Sequence, residues 1–153
     1  MLDRLADFLR GYTMNQTRLS DVTYFLLRVV AGLLFAQAGS AILFGWFGGM
    51  PGPSPTAPLM SQIGIGGALE FFGGLAIMLG LATRPVAFVL AGEMAVAYWQ
   101  FHAPHGTWPA QNEGVPAVLF CFIFLLFATQ GGGAWSVDAL LRRPHRAGPA
   151  HRA

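Results

Sequence analysis

Lysine is absent from this 153-residue chain, and charge of either sign is scarce. Only 10% of residues are charged, against roughly 25% in an ordinary soluble domain. Most of that charge lies before Asp21 or after Trp135, which leaves a long central region nearly bare. With 54% hydrophobic residues and a mean hydropathy of +0.52, the chain has lipid as its main solvent. Cysteine is almost absent too. Cys121 stands alone, so no intramolecular disulfide forms, and no CxxC pair exists for dithiol redox chemistry. Within an apolar run Cys121 reads as a small packed side chain. No histidine falls inside a long apolar stretch, which excludes paired-His haem ligation there. There is no phosphate-binding loop, no GxGxxG and no Ser-His-Asp setting. The estimated pI of about 9.2 comes from arginine alone. Arg142, Arg143, Arg146 and Arg152 trail the last apolar segment, where they read as a topology signal beside anionic lipid and not as a nucleic-acid surface.

What is present is a series of apolar stretches. Four are long enough, or nearly so, to cross a hydrocarbon core that takes roughly 20 helical residues. They cover about 22–47, 62–81, 85–101 and 113–129. The fold expected is all-α: an integral membrane bundle of four transmembrane helices. Leu2, Leu5 and Leu9 recur at helical spacing among Asp3, Arg4, Asp7 and Arg10, which predicts a short amphipathic helix in the cytoplasmic interface. Three regions follow: an interfacial segment over 1–20, the four-helix domain over 21–141, and a basic cytoplasmic tail over 142–153, expected to be disordered. Ala36-Gln37-Ala38 has the look of a signal-peptidase site. Cleavage is not expected, because Arg28 interrupts the apolar region and that region continues through Ile42, Leu43 and Phe44.

Punctuation marks the ends. Pro51, Pro53, Pro55 and Pro58 make 48–61 a loop. Ala82-Thr83-Arg84-Pro85 is a tight break with proline at a tolerated first-turn position. Gly131-Gly132-Gly133 stops the last span. The amino-terminal segment carries Arg4, Arg10 and Arg18, the second turn Arg84 and the tail four more, while the first and third loops carry none. The positive-inside rule then places both termini in the cytoplasm of a bacterial inner (plasma) membrane, multi-pass.

Charge inside a span is costly, about 2.5–3.5 kcal/mol at a helix centre on insertion scales. Arg28, Glu70 and Glu93 are therefore expected to point inward and meet. At 1.5 Å of rise per residue, Arg28 and Glu93 lie about 10–12 Å from the inner face and Glu70 about 16–18 Å. Arg28 is expected to pair with Glu93, with Glu70 slightly above and Gln100 on the stripe of Glu93 and Ala97. One cation does not balance two carboxylates, so one acid, preferably Glu70, is expected to carry a proton. Two readings stay open: a structural pin fixing helix register, or a polar pocket that binds a ligand or handles a proton. A second cluster gathers at the outer face: His102, His105, Trp108, Asn112 and Glu113, beside Gln100. His-x-x-His with a carboxylate suits a transition metal, but the spacing alone does not carry a metal site. Interfacial side chains anchoring a loop are the expectation. No catalytic residue is assigned.

These motifs together resemble the DoxX family. The run Leu69-Glu70-Phe71-Phe72-Gly73-Gly74 followed by Leu79-Gly80-Leu81-Ala82-Thr83-Arg84 is similar to its second span. His102-Ala103-Pro104, Trp108-Pro109 and Asn112 resemble its outer loop, and Gly131 to Asp138 its end signature. Arg28 and Gly32 fit its first span, so the resemblance covers Thr23 to Leu140. Members often read Asn-x-Gly-Glu entering the fourth span. Here Val115 takes the acidic position and Glu113 lies two residues earlier. The resemblance implies a membrane subunit or accessory protein of a redox, quinone-linked complex, with no cofactor of its own beyond a bound quinone. Its partners would be membrane lipid and a soluble or membrane redox protein that supplies electrons. The polar pocket would hold a quinone or lipid head group. The alternative is a non-catalytic scaffold, chaperone or cargo-binding protein, and third a transporter, for which the glycine-rich second span permits a homo-oligomer.

Overall fold

The computed structural model describes residues 2–142, with side chains from Met14 onward except Asn15. The basic tail expected over 142–153 lies, apart from Arg142, outside the described residues. Every regular element is helical, with no strand among the described residues. Helix α1 runs over Leu2–Phe44. No proline interrupts it, and its three glycines do not break it. The interfacial segment expected to stop near residue 20 is therefore not a separate helix: its backbone continues directly into the first apolar stretch. Gly45, in a left-handed conformation at φ 71°, ends α1.

Helix α2 covers Gln62–Leu79. Ser61 caps it by accepting from the Gly64 amide at 3.0 Å. Its middle, Leu69–Gly73, is a π-helical turn. Gly80 closes it at φ 71°. Helix α3 covers Thr83–Ala97 and passes into a second π-helical turn, Tyr98–His102. Helix α4 covers Val115–Gln130 and ends at Gly131, and a short α5 covers Val137–Leu141. Two helical stretches, Gln16–Phe44 and Gln62–Leu79, are long and apolar enough to cross a membrane. Val115–Gln130 is apolar but shorter.

The helices pack as two pairs. Helix α1 lies along α2 through glycines: a Cβ on Gly32 would stand 2.6 Å from the Gly74 carbonyl oxygen, and one on Gly74 would stand 2.5 Å from the Ala36 amide. Only hydrogen fits there, and small residues give lipid-embedded helices this close approach. Helix α3 packs on α4 along its length. Aromatic rings join the pairs, with Phe35 edge-on to Phe124 at 4.7 Å between centroids and Tyr24 edge-on to Phe127 at 5.6 Å. Direct contact between α2 and α3 is sparse, and Leu90 on Gly73 is one of the places where they meet. The surface is apolar: Leu26, Leu33, Leu34, Phe72, Phe88 and Phe122 face outward while Arg28, Ser40, Thr83 and Asn112 are buried. A soluble monomer rarely exposes so extensive an apolar surface.

Candidate functional site

Arg28 does not meet either glutamate. It is 1% exposed, as expected of an inward-facing charge. Its Nη1 donates to the carbonyls of Ile77 and Met78, both at 2.7 Å, and its Nη2 to the carbonyl of Trp135 at 2.6 Å. The ion pair with Glu93 expected from depth is absent. The reason lies in the end of α2. The last carbonyls of a helix have no partner in the helix and stand at the negative end of its dipole. Ile77 and Met78 are two of them, close to Arg28, and they take the guanidinium before the acids can. A Cβ on Gly80 would lie 2.8 Å from Nη1, so the glycine also makes room for this clamp.

Neighbouring contacts finish the same end of the molecule. Tyr24 donates to the Gly131 carbonyl at 2.5 Å. Asp138 accepts from the amides of Ala82 and Thr83, each at 2.8 Å, and so caps α3 from outside its own helix. Partial burial pushes the Asp138 carboxyl up, but the hydrogen bonds from Thr83 and Ala82, with Arg142 nearby, outweigh it and hold the group below the usual carboxylate range.

The two acids come together elsewhere, between α2 and α3. Glu70 sits in the π turn of α2, and Glu93 reaches across so that its Oε1 would lie 3.3 Å from a Cβ on Gly66. Each carboxyl keeps one buried oxygen, Oε2, without a hydrogen-bond partner. Both line a cleft of about 520 Å³, together with Gln62, Gly66, Gly67, Met94, Ala97 and Phe101 among others. No arginine or histidine lines it among the described residues. Gln100, in the second π turn, accepts a hydrogen bond from the Gln62 amide at the cleft's outer end. Glu70 and Glu93 therefore share this cleft with Gln62, Gln100 touches it through Gln62, and Arg28 lies elsewhere. Gln62 is not picked out by spacing within one helix; its signal is a polar residue opening an apolar stretch. The two π turns widen the backbone where these polar side chains meet, as such turns often do at functional sites.

The outer-loop residues do not converge on one point. His102 donates from Nδ1 to the Asn112 carbonyl at 3.0 Å, and His105 from Nδ1 to the Phe101 carbonyl at 2.9 Å. Asn112 donates to the Gly106 carbonyl and accepts from the Gly114 amide, each at 2.9 Å. Trp108 and Glu113 point outward, Glu113 with a positive φ of 57°. These bonds tie the loop to itself.

Comparison with known proteins supplies a family. The family model described as DoxX matches residues 23–103, which include Arg28, Glu70, Glu93 and Gln100. An uncharacterized protein from Haemophilus influenzae is 35% identical over 122 residues, covering 75% of this chain and 89% of that protein. The inner membrane protein YqjF from Escherichia coli is 32% identical over 139 residues, covering 82% of this chain and 97% of that protein. No solved structure matches the chain. Over more than half its length, with an inner-membrane relative and an apolar exterior, this chain belongs to the DoxX family of membrane proteins.

Proposed function

We propose that the chain is a four-span inner-membrane subunit of a redox complex, with both termini cytoplasmic, that binds a quinone head in the cleft between α2 and α3. The observation that carries this reading is the pair of buried, unpartnered carboxyl oxygens, on Glu70 and Glu93, in a cleft of about 520 Å³. That volume falls within the roughly 300–1,000 Å³ of small-molecule sites. A protonated carboxyl donates to a quinone carbonyl oxygen, and a carboxyl oxygen accepts from a quinol hydroxyl, so the same two acids fit both forms of the ligand. They also suit proton transfer as the head changes state. Electrons come from a partner protein. The uneven arginine distribution supports the topology. The lack of a cation in the cleft disfavours a phosphate head group.

Purification in mild detergent followed by solvent extraction tests the reading. Quinone in near-stoichiometric amount is expected from the natural protein. Glu93→Gln is expected to fold normally and to lose about tenfold in retained quinone, the equivalent of one hydrogen bond. Protein that carries no quinone would sink the reading. A second reading, the non-catalytic scaffold, draws on Arg28, whose contacts are all structural. It expects Glu93→Gln to lose expression or assembly instead.

A further inference from the structure

The cleft does not end at the carboxyl pair. A second groove of about 580 Å³ continues along the same seam toward the Arg28 end, sharing Ile65, Leu69 and Val89 with the cleft. It reaches Ala76 on α2 and Pro85 on α3. From Ile65 to Ala76 the rise is about 16 Å. No polar side chain lines this lower part. Its floor on α2 is small, with Ala68, Gly73 and Ala76, and its rim residues Ile65, Phe72 and Val89 are exposed to the surrounding lipid. The seam therefore has a polar end, an apolar end and an open side.

We infer that this seam holds a single-tailed amphiphile lengthwise, its uncharged hydrogen-bonding head at Glu70 and Glu93 and its hydrocarbon tail in the groove between α2 and α3. The inference rests on the reading of the cleft as a head site and adds the tail, its direction and its route of entry. Charge selects the head. Two carboxyl groups with no arginine or histidine beside them repel a phosphate, and Arg28 is engaged by three carbonyls. Shape selects the tail. The groove is an apolar channel over the line where Leu90 of α3 packs on Gly73 of α2, with few other contacts between the two helices, so it suits one chain laid along it. The open rim lets that chain slide in from the bilayer with no helix displaced.

Position, and not affinity, tests the tail, because a chain leaving lipid for an apolar groove gains little hydrophobic free energy. The probe is a benzoquinone carrying one decyl chain that ends in a diazirine, photolysed with the full-length protein in lipid nanodiscs. Mass spectrometry of the adducts is expected to place them on residues 68–76 and 85–90. Ala76→Phe fills the lower groove and should cut those adducts about tenfold, in line with the cost of overpacking. Val89→Phe blocks the junction from the other helix and should do the same should the first variant fold poorly. Phe88→Ala, on the outer face, should change nothing. Adducts scattered over lipid-facing positions such as Phe88 and Phe122, with quinone retention still lost in Glu93→Gln, would overturn the tail groove and leave the head site standing. Absence of quinone binding altogether would overturn both.

Discussion

At the scale of single residues, Arg28 shows how an intramembrane charge is satisfied without an opposite charge. Its guanidinium binds the carbonyls of Ile77 and Met78 where α2 ends, and that of Trp135 before α5. Hydrogen bonds to a charged group contribute roughly 1.5–3 kcal/mol each. Arg28→Met should therefore cost on the order of 3 kcal/mol or more, seen as a lower unfolding temperature in detergent. Arg28→Lys keeps the charge but not the planar fork, so it should recover only part of the loss. Quinone retained per folded molecule should not change in either variant, because Arg28 does not line the cleft. Loss of quinone at unchanged stability would contradict this placement. That Arg28 turns inward was legible in the sequence, since charge avoids lipid. Its partner was not. Carbonyls occur at every position, so no side-chain spacing reveals which of them lack a partner; only the position of Gly80 hints at it.

At the scale of elements, residue type wrote the ends of the helices and the small contact faces more clearly than the polar meeting points. Gly45, Ser61, Gly80 and Gly131 each stop or start a helix near the expected place. Arg28, Gly32, Ala36 and Ser40, four residues apart along α1, form one buried stripe. The π turns at Leu69–Gly73 and Tyr98–His102 had no such mark, because an extra residue in a helical turn needs no particular side chain. Glu70 lies in the first of them and Gln100 in the second, while Glu93 stands in the regular part of α3. Helix contact itself can be tested with two glycines. Gly32→Leu must push α1 from the backbone of α2 and should destabilise the protein by about 3 kcal/mol, the upper part of the usual overpacking range. Gly92→Ala meets nothing within 4 Å of its new Cβ and should be neutral or up to about 1 kcal/mol stabilising. Thermal unfolding of both variants in one detergent gives the comparison, and equal effects would refute the close approach of α1 and α2.

At the scale of the whole molecule, polarity is arranged outside in. Large apolar side chains cover the exterior, and inside them Arg28 and Asn112 bond to backbone while Glu70 and Glu93 each keep a buried oxygen without a partner. This arrangement favours lipid on all sides, while the arginines decide which end faces the cytoplasm. On the proposed topology the Arg28 clamp, the Asp138 cap and Arg84 would lie at the cytoplasmic end, and the proline loop and the histidine loop in the periplasm. Cysteine labelling decides this directly, since Cys121 is the sole native thiol. It is half-buried beside the core, so Cys121→Ala gives a background that leaves the fold in place. In that background Ser54→Cys, on the exposed proline loop, should react in intact cells with a maleimide that cannot cross the inner membrane. Leu141→Cys, exposed on α5, should react only after the inner membrane is opened. The reverse pattern would invert the topology. Labelling of both sites from outside would exclude an odd number of crossings between them, and with it the four-span arrangement on which the orientation of the cleft depends.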